Sequence, residues 1–161
     1  MENKFEYIEK KVIELGFRIN SKDFNRPWGG FLVIDENQAD KFIKYFFENL
    51  DMSLITKGLK LSPKILIVKP LSRLSWQYHF RRSEIWKVFE GEVAVVRSEN
   101  DNEQPKEVFS KGSLITLKQG ERHRLIGLND FGVVAEIWQH TDLNNPSDEN
   151  DIVRIQDDYG R

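Results

Sequence analysis

Apolar residues change their spacing once along this chain, near residue 60. Before that point they recur at helical intervals. Phe5, Ile8, Val12, Ile13 and Leu15 predict a helix over residues 3–16, which Gly16 would stop. Arg26-Pro27-Trp28-Gly29-Gly30 interrupts any helix, and 31–34 reads as a short strand. Residues 38–50 are helical again, with Phe42, Ile43, Phe46, Phe47 and Leu50 on one face. After residue 60, short apolar stretches follow one another at 64–69, 74–80, 85–89, 92–98, 107–109, 113–117, 123–128 and 133–139. Turn residues separate them: Pro70, Gly91, the polar run 99–105, Gly112, Gly120 and Asn129-Asp130. Many short strands at near-regular spacing predict a β-sandwich or barrel. The tail, 144–161, is acidic and loop-like apart from an apolar hook at Ile152, Val153 and Ile155. The pattern therefore predicts one all-β domain over residues 1–161. It comprises an N-terminal helical extension (1–25), a helical insertion (38–50), a β-barrel core (60–140) and a C-terminal tail (144–161).

Composition narrows the class. With 39% hydrophobic and 31% charged residues, the chain has the balance of a soluble globular protein rather than a disordered or membrane one. A net charge of -2 gives no bulk attraction to nucleic acid or to acidic membranes. Cysteine is absent, which excludes disulfide scaffolds, thiolate zinc sites and cysteine nucleophiles, and fits a reducing compartment. The charged start, MENKFEYIEKK, lacks the apolar core of a signal peptide, and no apolar run reaches the roughly 20 residues needed to span a bilayer. A cytoplasmic protein is expected, with neither nucleic acid nor membrane as partner.

Four polar positions change the picture. Gln77 and His79 alternate in a predicted strand, so they point to one face. Glu84 follows a tight polar turn, and His123 enters a later strand after Gly120. One amide oxygen, two imidazoles and one carboxylate make a borderline-hard site for a single divalent ion. Zinc, manganese, iron, cobalt and nickel are all chemically acceptable.

The intervals resemble the two motifs of the cupin superfamily. The first motif runs Gly, five residues, His-x-His, four residues, Glu, six residues, Gly; here it reads Leu71, Gln77-x-His79, Glu84, Gly91. The second runs Gly, five residues, Pro-x-Gly, two residues, His, three residues, Asn; here it reads Gly112, Lys118-x-Gly120, His123, Gly127. Every interval fits. Gln-x-His in place of His-x-His resembles the phosphomannose isomerases. Arg26-Pro27-Trp28-Gly29, Val68-Lys69-Pro70, LSWQYH at 74–79, Arg82-Ser83-Glu84, GERHRL at 120–125 and the closing DIVRIQDDYGR narrow this further. They resemble the C-terminal cupin domain of type II mannose-6-phosphate isomerase/mannose-1-phosphate guanylyltransferase. Family members usually read His-His-His-Arg where this chain has His79-Phe80-Arg81-Arg82, and His-Trp where it has Ile85-Trp86. The nucleotidyltransferase part is not in this sequence, so guanylyl transfer is not expected.

The resemblance implies a jelly-roll sandwich, one divalent ion with zinc as first choice, a homodimer and a sugar phosphate as substrate. The implied reaction is aldose–ketose isomerisation of the mannose-6-phosphate/fructose-6-phosphate type through a cis-enediolate. The alternative is a non-catalytic cupin that binds a sugar or sugar phosphate. Lys64 and Glu136 are the candidate proton-transfer groups, since each lies on a strand leading into the site and burial can retune either group. Arg154 and Arg161 are the candidate phosphate ligands, because guanidinium grips phosphate bidentately. Arg82, beside Glu84, is a further substrate-binding candidate.

Overall fold

Asn3 opens the first helix, α1 (Lys4–Glu14), by accepting a hydrogen bond from the Glu6 amide through its side-chain oxygen. That bond satisfies one of the N–H groups a helix start leaves free. The computed structural model describes residues 3–55 and 59–161. Gly16 ends the helical stretch with φ +92°, a left-handed conformation that glycine adopts without strain. The chain then enters an eight-residue strand, β1 (Ile19–Arg26), paired antiparallel with β2 (Gly29–Ile34). The expected helical extension over 1–25 is therefore corrected: its second half is a strand. β1 is an edge strand held by backbone pairing, and most of its residues face solvent, so it carries no apolar alternation to read.

A short 3₁₀ turn, Glu36–Gln38, leads into α2 (Ala39–Phe46). The helix expected over 38–50 closes after Phe46. Phe47 and Leu50 stay buried in a turn closed by the Leu50 amide on the Phe47 carbonyl. The apolar face is as expected; its last turn is not helical.

Nine further strands follow: β3 (Lys64–Val68), β4 (Trp76–Tyr78), β5 (Arg82–Glu90), β6 (Glu92–Ser98), β7 (Glu107–Ser110), β8 (Leu114–Leu117), β9 (Arg122–Gly127), β10 (Gly132–His140) and β11 (Val153–Gln156). They form two sheets, ordered β1-β2-β3-β10-β5-β8 and β11-β4-β9-β6-β7, with antiparallel pairing throughout. This is the all-β sandwich that the strand spacing predicts, in the jelly-roll form that the cupin resemblance implies. The tail departs from its loop-like reading, because β11 pairs with β4 and completes the smaller sheet.

Strand parity divides the interior in two. On β3, Ile65 and Ile67 face outward and join Ile8, Val12, Phe42 and Phe46 beneath the helices. Leu66 and Val68 face inward and join Trp86, Val88, Val93, Leu125 and Val134 between the sheets. Burying each such side chain contributes about 1.5–3 kcal/mol. The helices therefore seal the outer face of the six-stranded sheet and leave its inner face for the site. By the same parity Lys64 lies on the inner face, aligned with Glu136, which is in turn aligned with Trp86.

Two departures from the cupin spacing have visible consequences. Leu71, at a glycine position, takes φ +57° and is 81% exposed. Gly127, at an asparagine position, lies so close to the Lys69 carbonyl that a Cβ would fall 2.0 Å from its oxygen. Only glycine fits there. Among the described residues no helix is long and apolar enough to cross a membrane.

Candidate metal centre

Four strands or strand ends deliver the polar cluster. Gln77 sits on β4 and His79 just beyond it; Glu84 lies on β5, and His123 on β9 directly opposite Gln77. His79, Glu84 and His123 are each 2% exposed. His79 Nε2 lies 3.2 Å from Glu84 Oε1, and His123 Nε2 lies 3.7 Å from Glu84 Oε2. One donor atom from each of the three falls within 4.8 Å of the others, so this trio could hold a metal ion.

Hydrogen bonding fixes how the imidazoles face that point. His79 Nδ1 is 2.7 Å from the Asp151 carbonyl and His123 Nδ1 is 3.1 Å from the Glu121 carbonyl. A carbonyl can only accept, so each Nδ1 carries a proton, and in the neutral ring each Nε2 holds the lone pair that can bind a cation. Burial pushes His123 down to about 4, against the pull of Glu84, which keeps the ring neutral. Its Nε2 is buried without a hydrogen-bond partner. Burial alone would raise Glu84, yet the Arg82 guanidinium and the two histidines hold its carboxyl well below the usual carboxylate range. Lone pairs aimed at a buried carboxylate call for positive charge among them; Arg82 supplies part of it, through Nε on Glu84 and Nη2 beside His79, while His123 Nε2 has no partner. The donor set fits a divalent ion of the nitrogen- and oxygen-binding kind.

Gln77 is close, with a qualification on its orientation. Its amide nitrogen, not its oxygen, turns toward His79 Nε2 at 3.5 Å, while its oxygen accepts from Ser75 Oγ at 2.6 Å. A half-turn of the amide exchanges the two, and the Ser75 hydroxyl can accept as well as donate.

The cluster opens into a cavity between the sheets. Lys64, Gln77, Arg82, Glu84, Glu136, Arg154 and Arg161 all line it, with Trp28, Trp86 and Trp138 among its walls. Glu136 is 5% exposed and accepts from the indole N–H groups of Trp86 and Trp138, both at 2.9 Å. Burial, reinforced by the Glu84 carboxylate, pushes Glu136 up to about 8. Lys64 is buried and paired with Glu149. Arg82 stacks on Trp138, 3.6 Å from the ring centroid, and donates to Glu84 Oε1 at 2.9 Å. Arg154 stands exposed on β11 beside Gln77, with no ion pair or side-chain hydrogen bond among the described residues. Arg161 is bound to Asp157 through both side chain and backbone.

Phe80, Arg81 and Ile85, at the positions where the family resemblance leads one to expect histidine, lie elsewhere. Phe80 is 57% exposed, Arg81 faces Asp148 and Asp151, and Ile85 points into the outer core under the helices. None of the three is among the residues that line the cavity.

Sequence reading missed the residues that hold the ligands. Asp151 accepts from the Phe80 and Arg81 amides and from Ser147 Oγ, while its own carbonyl orients His79. Arg82 donates to Ser147 Oγ and to the Asp148 carbonyl. His140 supports the same loop by accepting from the Ser147 amide. The one available signal was Asp151 within the closing motif.

A jelly roll with a His-Glu-His cluster on its inner wall defines a cupin. The sequence model of the mannose-6-phosphate isomerase C-terminal family matches residues 50–157, two thirds of the chain, and the chain belongs to that family. It is 28% identical over 137 residues to the xanthan biosynthesis protein XanB of Xanthomonas campestris pv. campestris, a match covering 84% of this chain and 23% of that protein. It thus spans less than a quarter of the curated relative's length. Among solved structures, the capsular polysaccharide assembling protein CapF of Staphylococcus aureus aligns with a TM-score of 0.54 at 14% identity, over 87% of this chain and 34% of that one. CapF with the inhibitor 3-isopropenyl-tropolone aligns at 0.56 and 14% identity, over 97% and 42%. At such identities the likeness is one of fold.

Proposed function

We propose that this cupin is a metal-dependent sugar-phosphate isomerase, interconverting an aldose and a ketose of the mannose-6-phosphate/fructose-6-phosphate type. The observation that carries this reading is the pairing of the His79–Glu84–His123 cluster with the buried Glu136 carboxyl, which is held by two indole N–H groups on the wall of the adjoining cavity. Membership of the mannose-6-phosphate isomerase C-terminal family and the likeness to a xanthan biosynthesis protein support carbohydrate as the substrate class.

His79, Glu84 and His123, with Gln77 after its amide turns, would hold the ion. When bound, a divalent ion supplies Lewis acidity to a sugar's carbonyl and neighbouring hydroxyl. Glu136 carries the proton between the two carbons, since its surroundings place its proton equilibrium at about 8. Its two indole donors fix the carboxyl in place. Lys64, on the adjoining strand, is the second proton-transfer candidate and otherwise holds a substrate hydroxyl. Arg154 takes the phosphate, with Arg161 beside it at the cavity wall. We read the protein as cytoplasmic and homodimeric, with neither nucleic acid nor membrane as a partner.

The test is a coupled assay of both hexose phosphates with purified protein and each of zinc, manganese, iron, cobalt and nickel. Turnover that Glu84→Ala and Glu136→Gln both abolish is expected. If no ion supports conversion while Glu84→Ala still removes a bound metal, isomerisation is wrong. The site is then one that binds a sugar phosphate without reaction.

A further inference from the structure

The Arg82 guanidinium makes a contact that a metal ion cannot share. Arg82 Nη2 lies 3.3 Å from His79 Nε2. His79 Nδ1 donates to the Asp151 carbonyl, so in the neutral ring, the form that binds a metal, Nε2 holds the single available lone pair. A lone pair serves one acceptor role at a time. It accepts from the guanidinium or it binds a cation. Glu84 Oε1, which takes Arg82 Nε at 2.9 Å, has lone pairs for both and forces no such choice.

Apart from the Nε bond to Glu84, Arg82 is anchored independently of the cluster. Nη1 donates to Ser147 Oγ at 2.9 Å and to the Asp148 carbonyl at 3.1 Å, and the planar group stacks on Trp138. Releasing Nη2 from His79 therefore leaves the side chain in position, with one charged donor pair unsatisfied. Arg82 is among the residues that line the cavity, so a freed guanidinium donor belongs to a wall that an anion entering the cavity would meet.

We propose that Arg82 is an exchangeable stand-in cation. Without metal its guanidinium satisfies His79 Nε2; metal binding displaces Nη2, which then serves an anionic group in the cavity. Metal and anion thereby bind with positive coupling through one side chain, and by linkage each tightens the other equally. The proposal rests on the metal-centre reading and adds order to it. The binding-competent cavity for a phosphorylated sugar is made by loading the ion.

Three measurements on the full chain test this, none of which uses turnover. Zn²⁺ is titrated into ¹⁵N-arginine-labelled protein, with the Arg82 side-chain signal assigned by its loss in Arg82→Lys. Sulfate, which leaves zinc soluble, is titrated by calorimetry with and without Zn²⁺, into the parent protein and into Arg82→Gln. Zn²⁺ affinity is also compared between Arg82→Gln and the parent. The expected results are a shift of the Arg82 signal on zinc loading and a sulfate affinity raised about fivefold or more by the metal. In Arg82→Gln that coupling is lost and zinc binds more tightly, because a competing positive charge has gone.

Zinc binding that leaves the Arg82 signal unmoved overturns the proposal while sparing the metal centre. So does coupling that survives in Arg82→Gln, which would mean the anion ligates the metal directly. Parent protein that binds no zinc overturns both readings together. Should Arg82→Gln fail to fold, the signal of the parent protein decides alone.

Discussion

Replacing Asp151 should cost more than its place in a polar tail suggests. Its carboxylate is buried and takes three hydrogen bonds, from the Phe80 amide at 2.9 Å, the Arg81 amide at 3.0 Å and Ser147 Oγ at 2.6 Å. Asp151→Ala leaves those three donors without their acceptor. Each such loss costs about 1–3 kcal/mol, and water reaching the turn at exposed Phe80 recovers part of it, so roughly 3–5 kcal/mol is expected in all. At 2–4 °C per kcal/mol for a chain of this size, the midpoint should fall by roughly 10 °C. Asp151→Asn keeps one acceptor oxygen and should lose about half as much. The assay is thermal and urea unfolding with chelator present, followed by zinc titration, where both variants should bind more weakly because the turn carrying His79 has loosened.

The pH dependence of Asp151 has a definite sign. Burial would raise its carboxyl, but the Ser147 hydroxyl and the two amides outweigh it and hold the group below the usual aspartate value. The unfolded chain then binds more protons than the folded one in acid. The stabilisation is full above about pH 4 and is lost as pH falls through the depressed folded value. Asp151→Asn should flatten that acid limb. An Asp151→Ala variant within about 1 kcal/mol of the parent, with unchanged acid sensitivity, would refute the assignment.

Three other outcomes are expected. Glu136, raised to about 8, holds a proton that the unfolded chain has already released, so metal-free stability should fall as pH rises from about 4.5 to 8. Glu136→Gln should remove this slope in unfolding titrations, and an unchanged slope would assign it to another group. Arg154→Ala should leave stability within about 0.5 kcal/mol, since the side chain is exposed and unpartnered among the described residues, yet weaken sugar-phosphate binding about tenfold or more. Calorimetry reads the second effect, and equal affinities would remove Arg154 from the phosphate site. Leu71→Gly should stabilise the protein by about 1 kcal/mol, because an exposed leucine at φ +57° gives up little packing and is relieved of left-handed strain; a lower midpoint would show that Leu71 packs more than its exposure implies.

Much of the fold was legible because burial follows strand parity. The predicted strands from 64–69 to 133–139 all have counterparts, and the spacing that grouped His79, Glu84 and His123 finds them within 4.8 Å. What escaped reading has one physical character. β1 and β11 are edge strands, stabilised by backbone pairing with a partner already in place rather than by their own apolar alternation. The loop that aligns His79 was hidden for a related reason. Asp151 and the turn it caps are separated by about seventy residues, and hydrogen bonds over that distance leave no local periodicity.

The site itself did leave a mark, and it lies where a buried strand breaks its own pattern. All nine residues of β10 are buried, its outer face by the helices and its inner face by the opposing sheet. In a strand covered on both sides a carboxylate is costly unless something answers it. Glu136 is that exception within an otherwise apolar run, Val133 to Trp138. Across the sheet Glu136 is aligned with Lys64 on β3 and with Trp86 on β5, and further along β5 the charged pair Glu84 and Arg82 stands opposite Trp138 and His140. Past these residues the same inner face returns to Leu66, Val68, Val88 and Val134. The cavity is thus one end of the inter-sheet core, in which charged side chains replace apolar ones at positions of unchanged parity. The same sheet register that packs the core therefore aims Glu136, Glu84 and Arg82 at a common point.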